Sequence, residues 1–196
     1  HNDTEDAVLY VLANEHAYDT TRISVGGSSA GGNMALSLSA RLGSERIKSC
    51  FALYPAAHLT HPERLDTVMG CVSDKFRSGV VIPHWCMKLF INAYTTPGTD
   101  MNDPRLSPMF YDASKFPKYV AVACGDADTL YRMSFDLMKK ISGSASGTNV
   151  DGSRKFICVP NEAHEFNTFG RTRASQEERD RVEGEAINMI RASWRQ

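Results

Sequence analysis

Four short runs of apolar residues constrain this chain most, because they are continuous rather than alternating between apolar and polar positions. A continuous apolar run is typical of a strand buried on both faces, as in a parallel sheet covered by helices on each side. The four predicted strands are residues 22–27, 49–55, 118–125 and 154–160. Segments with apolar residues at helical spacing lie before, between and after these runs, which predicts an α/β fold, a mostly parallel sheet with helices on both faces.

The helical segments fit one domain, as expected for a chain of 196 residues. The predicted helices are residues 3–18, 30–42, 84–94, 131–141 and 175–194. Residues 56–117 interrupt the strand–helix alternation and are predicted to contain a cap-like insertion in a domain that covers residues 1–196. The first predicted strand would leave a long apolar edge, which proteins usually pair or cover, so we expect further segments to complete the sheet.

Composition excludes several classes of partner. The net charge is −1 and the pI is about 6.7, so no basic surface for nucleic acid or anionic membrane is expected. No apolar run approaches the ~18 residues that a membrane span needs. We therefore expect a small-molecule partner, and a homodimer is compatible with the sequence.

The five cysteines favour neither disulfides nor zinc. Their number is odd and no C-x-x-C spacing occurs. Cys50, Cys124 and Cys158 fall in or beside predicted strands, where a buried, reduced thiol is the ordinary interpretation. This favours a reducing, cytoplasmic location. The pair His58 and His61 with Glu63 lacks a helix that would aim the three side chains together, so neither a metal nor another cofactor is expected.

A serine flanked by glycines lies where the first predicted strand ends and the next helix begins. Gly27-Ser28-Ser29-Ala30-Gly31 fits G-x-S-x-G, in which a sharp strand-to-helix turn projects the serine Oγ above the sheet. We expect Gly27 and Gly31 to make room in this turn and the Ala30 N–H to serve an oxyanion hole. Ser29 is preferred to Ser28 because only Ser29 has glycine two residues before and after it. The alternative is a Gly/Ser loop or a phosphate cradle, although no G-x-x-x-x-G-K-[ST] is present.

A sharp strand-to-helix turn that carries such a serine is called a nucleophile elbow. In proteins with this elbow, the other two triad residues follow in the sequence with the acid before the base, and this chain offers candidates in that order. His164 is the only histidine after the third predicted strand, and its loop lies at the carboxyl edge of the sheet. Asp126 and Asp128 both follow the third strand. Asp128 is preferred because a turn would carry it toward His164, whereas Asp126 lies against the strand end. Either aspartate could instead cap the helix that begins near Tyr131.

With these sites placed, the chain resembles the hormone-sensitive-lipase-like branch of the α/β-hydrolases along essentially its whole length. Residues 22–33 (RISVGGSSAGGN) are similar to that family's strand and GDSAGGN elbow. Residues 103–108 (DPRLSP) and 125–130 (GDADTL) resemble its approach to the acid and its G-x-x-D-P-L turn. Residues 164–166 (HEF) resemble its H-G-F at the catalytic histidine.

The sequence also departs from the family pattern. Ser28, Thr129 and Glu165 stand where aspartate, proline and glycine are usual. The family's H-G-G-G segment, whose N–H groups form most of the oxyanion hole, does not occur in this sequence. We therefore expect the chain to be the C-terminal part of a longer catalytic domain, to need the preceding segment of the same protein, and to be a poor enzyme alone.

The resemblance implies a carboxylesterase that acts on small to medium apolar esters through Ser29, Asp128 and His164. It assigns Ser28, Trp85 and Phe90 to substrate binding, the last two as part of a cap wall; simple packing onto the sheet is the alternative. A lipase or an amide deacetylase would use the same triad. A ligand-binding receptor without turnover, or a structural fragment held by a partner chain, are the alternatives from other classes.

Overall fold

The strands form one parallel sheet in the order β1-β2-β3-β4 in a computed structural model that describes residues 2–195. The strands are β1 (Ser24–Ser28), β2 (Ser49–Leu53), β3 (Tyr119–Gly125) and β4 (Arg154–Val159). All four predicted strands are confirmed, with ends shifted by one or two residues. The α/β architecture is therefore the one that the continuous apolar runs predicted.

Six α-helices accompany the sheet within residues 2–195. They are α1 (Asn2–Ala13), α2 (Ala30–Arg46), α3 (His84–Tyr94), α4 (Tyr131–Ser142), α5 (Phe166–Phe169) and α6 (Arg173–Ser193). Short 3-10 helices lie at Pro62–Thr67, Pro108–Phe110 and Ala113–Lys115. The one-turn helix α5 was not predicted, and α1 ends five residues before its predicted end.

Alternate residues of β3 build two cores on opposite faces of the sheet. Val120 and Val122 pack with α2 and α4, whereas Ala121 and Ala123 pack with α6. All four side chains are fully buried. Burying a valine side chain contributes about 1.5–3 kcal/mol, so this central strand anchors both layers.

The outer strands are less buried than the sequence predicted. β1 has only partly buried and exposed positions, whereas β4 has partly buried, buried and exposed ones, and Cys158 on β4 is exposed rather than buried. The prediction that all four strands are fully buried is thus wrong for these two, because each has a strand neighbour on one side only within residues 2–195. The pairing of the outer edge of β1 by further segments stays a prediction.

Residues 56–117 build a third apolar cluster beside the carboxyl end of the sheet. Met87 and Ile91 of α3 are buried there against Leu65 and Met69. The cluster reaches the main domain through Leu130, which precedes α4. The segment is thus packed beside the predicted site; its role as a cap, like the domain assignment of 1–196, stays a prediction. Among residues 2–195, no helix combines the length and the apolar character needed to cross a membrane.

Candidate active site

Ser29 lies in the turn between β1 and α2 with a backbone conformation that is rare for any residue other than glycine. Its φ is 52° and its ψ is −119°, a combination that costs free energy and persists only where the surroundings enforce it. The enforcing contacts are backbone hydrogen bonds: the Ser29 N–H donates to the Leu53 carbonyl at 2.9 Å, and the Ser29 carbonyl accepts from Asn33 at 3.1 Å. The turn therefore holds the serine at the carboxyl edge of the sheet.

The two glycines of the elbow play different parts. A Cβ at Gly27 would lie 2.5 Å from the carbonyl oxygen of Gly31, so no side chain fits there. A Cβ at Gly31 would meet nothing within 4 Å. The expectation that both glycines make room is correct for Gly27 and wrong for Gly31, since the crowding comes from the backbone of residue 31 and not from its side-chain position.

His164 lies between the serine and an aspartate. Its Nε2 is 3.0 Å from the Ser29 Oγ, and its Nδ1 is 2.8 Å from Oδ2 of Asp128. His164 is only 3% exposed and Asp128 is fully buried, so water does not compete for the contact between them. The structure thus brings together the three side chains that the sequence assigned to a triad, from positions up to 135 residues apart.

The choice between the two aspartates follows from their partners. The other carboxylate oxygen of Asp128 accepts the Leu130 N–H at 2.8 Å, so this side chain both orients His164 and satisfies the turn before α4. Asp126 accepts the Asn161 N–H at 2.7 Å instead. Asp128 therefore has the position of the triad acid, and Asp126 ties the turn after β3 to the loop after β4.

Two supporting residues were not found from the sequence. Tyr54 follows β2, and its ring centroid lies 4.4 Å from that of His164, while its hydroxyl donates to the Asn167 side chain. Burial raises the pKa of Tyr54 to about 12, so the phenol stays neutral at physiological pH. Asn33 on α2 donates its amide to the carbonyls of Ala56 and Leu106, which fixes two parts of the 56–117 segment to the elbow helix.

A cavity of about 460 Å³ opens beside Ser29. Its lining is mainly apolar: Ser29, Ala30, Asn33, Met34, Ala56, Leu59, Ile82, Met87, Phe90, Ile91, Ala93, Tyr94 and Leu130. Ala30 lines the cavity and is the first residue of α2, so its N–H has no acceptor within the helix. The cavity wall therefore combines Ser29, a residue at a helix N-terminus and apolar side chains.

Of the three residues assigned to substrate binding, only Phe90 lines this cavity. Trp85 is 68% exposed and lies on the far side of α3, since at 100° per residue it is roughly opposite Met87 and Tyr94. Ser28 lines a separate depression with Ile190 on the α6 side of the sheet. Trp85 and Ser28 therefore do not line this cavity, because the helix period and the strand alternation turn both side chains away from it; a part for either residue in substrate binding stays a prediction.

No group of three His, Cys, Asp or Glu side chains suited to a metal ion occurs within residues 2–195. His58, half of the H-x-x-H pair, packs edge-on against Phe110 with centroids 5.1 Å apart. Burial lowers the pKa of His58. This histidine therefore belongs to the packing of the 56–117 segment.

The parallel sheet, the strained serine between a strand and a helix, and the Ser–His–Asp contacts together define an α/β-hydrolase. A sequence profile described as alpha/beta hydrolase fold matches residues 1–168, and the chain belongs to this family, in its hormone-sensitive-lipase-like branch. A search of curated proteins found no match.

Solved structures share the fold at low sequence identity. EstE1, a thermostable carboxylesterase from a metagenomic library, matches 98% of this chain at 24% identity with a TM-score of 0.73. Brefeldin A esterase, a bacterial homologue of human hormone-sensitive lipase, matches 97% at 22% identity and a TM-score of 0.68. A hyperthermophilic esterase from the archaeon Pyrobaculum calidifontis matches 96% at 19% identity and a TM-score of 0.67. The chain spans 62%, 54% and 59% of these three proteins, respectively.

Proposed function

We propose that this chain carries the catalytic triad of a serine carboxylic-ester hydrolase that works through an acyl-enzyme intermediate. One observation carries the proposal: a strained serine is hydrogen-bonded to a buried histidine, which is hydrogen-bonded in turn to a buried aspartate. The Ser29–His164 contact lies within the range for proton transfer between a nucleophile and a base, and the His164–Asp128 contact lies within the range for a hydrogen bond that orients the base. Binding alone would need neither the base nor its orienting carboxylate.

In acylation, the Ser29 Oγ forms a bond to the ester carbonyl carbon while Nε2 of His164 takes the hydroxyl proton. The tetrahedral intermediate then collapses, the bond from carbon to the alkoxy oxygen breaks, and His164 returns the proton to the departing alcohol. Asp128 accepts a hydrogen bond from Nδ1, which fixes the tautomer with Nε2 as base and stabilises the imidazolium. In deacylation, His164 takes a proton from water, the hydroxide attacks the acyl carbon, and Ser29 leaves with its proton restored.

The oxyanion would receive one hydrogen bond from the Ala30 N–H. The sequence contains no H-G-G-G segment, so no second donor of that kind is identified in this chain. Because loss of one oxyanion donor typically costs ~10²–10³ in turnover, we expect the 196-residue chain alone to react slowly. A segment that precedes it in the same protein would supply the missing donors.

The cavity supports small to medium, apolar esters as substrates. Met34, Leu59 and Ile82 present no charge to the acyl or alcohol group, and the volume of about 460 Å³ lies within the range of small-molecule sites. A lipase or an amide deacetylase would use the same three side chains, and a comparison of ester, triglyceride and anilide substrates separates them.

A fluorophosphonate tests the nucleophile directly, because attack by the serine oxygen forms an oxygen–phosphorus bond and releases fluoride. We expect labelling at residue 29, loss of labelling in Ser29→Ala and retention in Ser28→Ala, the neighbouring serine that faces away from the cavity. Hydrolysis of p-nitrophenyl butyrate should follow the same pattern. Labelling that persists in Ser29→Ala would overturn the assignment, and ligand binding without labelling or turnover would favour the receptor.

A further inference from the structure

A fully buried carboxylate lies two residues before His164, and the mechanism above does not use it. Glu162 is 0% exposed. Its Oε1 accepts hydrogen bonds from the Arg77 Nε at 3.1 Å and the Ser175 Oγ at 2.7 Å, and its Oε2 accepts one from the Ser78 hydroxyl. A charged group is almost never buried unless such partners surround it, so this cluster is a specific construction of the fold.

The three partners come from two separate parts of the chain. Arg77 and Ser78 lie in the segment between β2 and α3, whereas Ser175 lies in the first turn of α6. The Glu162 carboxylate therefore joins the loop after β4 to the 56–117 segment on one side and to the last helix on the other. Arg77, Ser78 and Ser175 lie 85, 84 and 13 positions away from Glu162 in the sequence, which is why no local motif reveals the cluster.

The same loop is clamped by its backbone. The segment 78–80 pairs with it through Ala163 N–H to the Ser78 carbonyl at 3.0 Å, and through reciprocal bonds of 2.8 and 3.0 Å between Val80 and His164. The Glu162 carbonyl accepts the Ala127 N–H at 3.1 Å. A Cβ at Gly125 would lie 2.0 Å from that same carbonyl oxygen, so the loop touches the end of β3 directly.

The backbone on both sides of Glu162 and His164 has an unusual conformation. Asn161 and Glu165 both have positive φ, at 57° and 58°, which is unfavourable for residues other than glycine. Such a conformation persists only when surrounding contacts determine it. His164 lies between these two strained positions, so a change in the anchoring of the loop is transmitted to its imidazole.

We propose that Glu162 is a positioning residue for His164: its carboxylate, held by Arg77, Ser78 and Ser175, locks the loop so that the imidazole stays in line between Ser29 and Asp128. This inference rests on the proposed function, because it assigns a part in the same reaction. Glu162 does not touch the reacting atoms and acts through the loop. Displacing a catalytic group by about 1 Å can cost ~10²-fold in rate, so a loosened loop would be visible in the chemistry.

The test compares Glu162→Ala and Glu162→Gln with Glu185→Gln. Glu185 on α6 pairs with Lys155 and is more exposed than Glu162. Glu185→Gln is therefore the control, because it removes the same charge as Glu162→Gln. Three measurements are made on each folded variant. They are the rate of fluorophosphonate labelling, the kinetics of p-nitrophenyl butyrate hydrolysis (kcat and KM), and the ¹H resonance of the His164 Nδ1 proton in ¹⁵N-histidine-labelled protein. Thermal unfolding gives the Tm of each variant, so that all comparisons are made well below it.

For Glu162→Ala we expect labelling and kcat to fall roughly 100-fold with KM nearly unchanged, and the His164 Nδ1 resonance to broaden or vanish. Glu162→Gln should recover much of the loss, because its amide oxygen can still accept from Ser175 in place of Oε1, and its NH₂ group can donate to the Ser78 hydroxyl, which is able to accept. Glu185→Gln should match the wild type in all three measurements. A folded Glu162→Ala protein with wild-type labelling and an intact resonance would overturn the proposal.

Two further comparisons cover the cases in which Glu162→Ala does not fold or the wild-type chain does not label. If Glu162→Ala does not fold, the double variant Arg77→Ala, Ser175→Ala replaces it: reduced labelling in a folded protein supports the proposal, and unchanged labelling with an intact resonance refutes it. If the wild-type chain does not label even on prolonged incubation, which allows for the slow reaction expected of this chain, the proposed function fails by itself. The His164 resonance then still decides the positioning role, since it should depend on Glu162 whether or not Ser29 reacts.

Discussion

The two sides of the cavity are built in different ways. On the side of His164, the buried groups are polar and hydrogen-bonded. Asp128 and Glu162 are both fully buried, and the carboxylate of each accepts at least two hydrogen bonds. On the side of α3, the wall is apolar and partly open. Met87 and Ile91 are buried, whereas Phe90 is 53% exposed.

Under the proposed function, the two sides have separate parts: the polar side determines the reaction rate and the apolar side determines which substrate fits. Hydrogen bonds depend on distance and angle, so the polar side can hold an imidazole in one orientation. Apolar contact is not directional, so the α3 side can accept apolar groups of different shapes. We therefore expect substitutions on the polar side to change rate and those on the α3 side to change stability or substrate preference.

The largest effect is expected from Asp128→Asn. An amide could present its NH₂ to His164, favour the wrong tautomer and remove the charge that stabilises the imidazolium, so kcat should fall ~10⁴-fold. The rate of fluorophosphonate labelling measures this loss of reactivity even when turnover of an ester is too slow to follow. Asp126→Asn is the control, because its carboxylate accepts from the Asn161 N–H and does not bond to His164. Equal losses in both variants would contradict the assignment of the acid.

Met87→Ala tests the buried part of the apolar wall. Its side chain is 5% exposed within the cluster of the 56–117 segment, so removing it should lower the free energy of unfolding by about 2–4 kcal/mol. Urea unfolding measures the change. Leu89→Ala, on the same helix but 58% exposed, should cost well under 1 kcal/mol. A small effect at Met87 would mean that the wall does not depend on this packing.

Phe90→Ala should alter selection more than stability, since the ring lines the cavity but is half exposed. We expect the preference for p-nitrophenyl hexanoate over acetate, measured as a ratio of kcat/KM, to change by about tenfold. Trp85→Ala provides the control on the opposite side of α3 and should leave the ratio unchanged. An equal change in both variants would place the acyl group elsewhere.

The smallest effect concerns a carboxylate on the 56–117 segment. Hydrogen bonds from Arg105 hold the pKa of Asp103 below its ordinary value, so its stabilising effect is present above the unfolded pKa and is lost as the pH falls through the folded pKa. Asp103→Asn should lower stability by a few tenths of a kcal/mol near neutral pH, because the pair is largely exposed to solvent. In thermal unfolding, the difference should shrink as the pH falls below the ordinary pKa of aspartate and disappear below the lowered pKa of Asp103 in the folded protein. Asp180→Asn, on the exposed face of α6, is the control, and a difference that persists in acid would refute the explanation.

The sheet and its triad positions were predictable because their signals are local. Four continuous apolar runs identified the strands, and G-x-S-x-G placed Ser29 at the end of the first one. The order of the chain then left one histidine for the base and two aspartates for the acid. Only the three-dimensional structure shows that Asp126 turns to Asn161 and Asp128 to His164.

The supporting residues were not predictable, since their partners lie far away in the sequence. Tyr54 contacts His164 across 110 positions, counted from 54 to 164, and Glu162 bonds to Arg77 across 85. The exposure of Cys158 and the outward position of Trp85 also depend on where an element lies at the edge of the fold. The apolar pattern shows that a side chain packs, but not against which neighbour.

The sequential order of the strands has a consequence for the newly made protein. Ribosomal synthesis releases β1 before β4, so Ser29 leaves the exit tunnel while 135 residues still separate it from His164. A nascent chain that has released β3 and the turn after it holds Ser29 and Asp128 but lacks the proposed base. If the proposed function holds, ester hydrolysis therefore requires that β4 and the loop after it have docked.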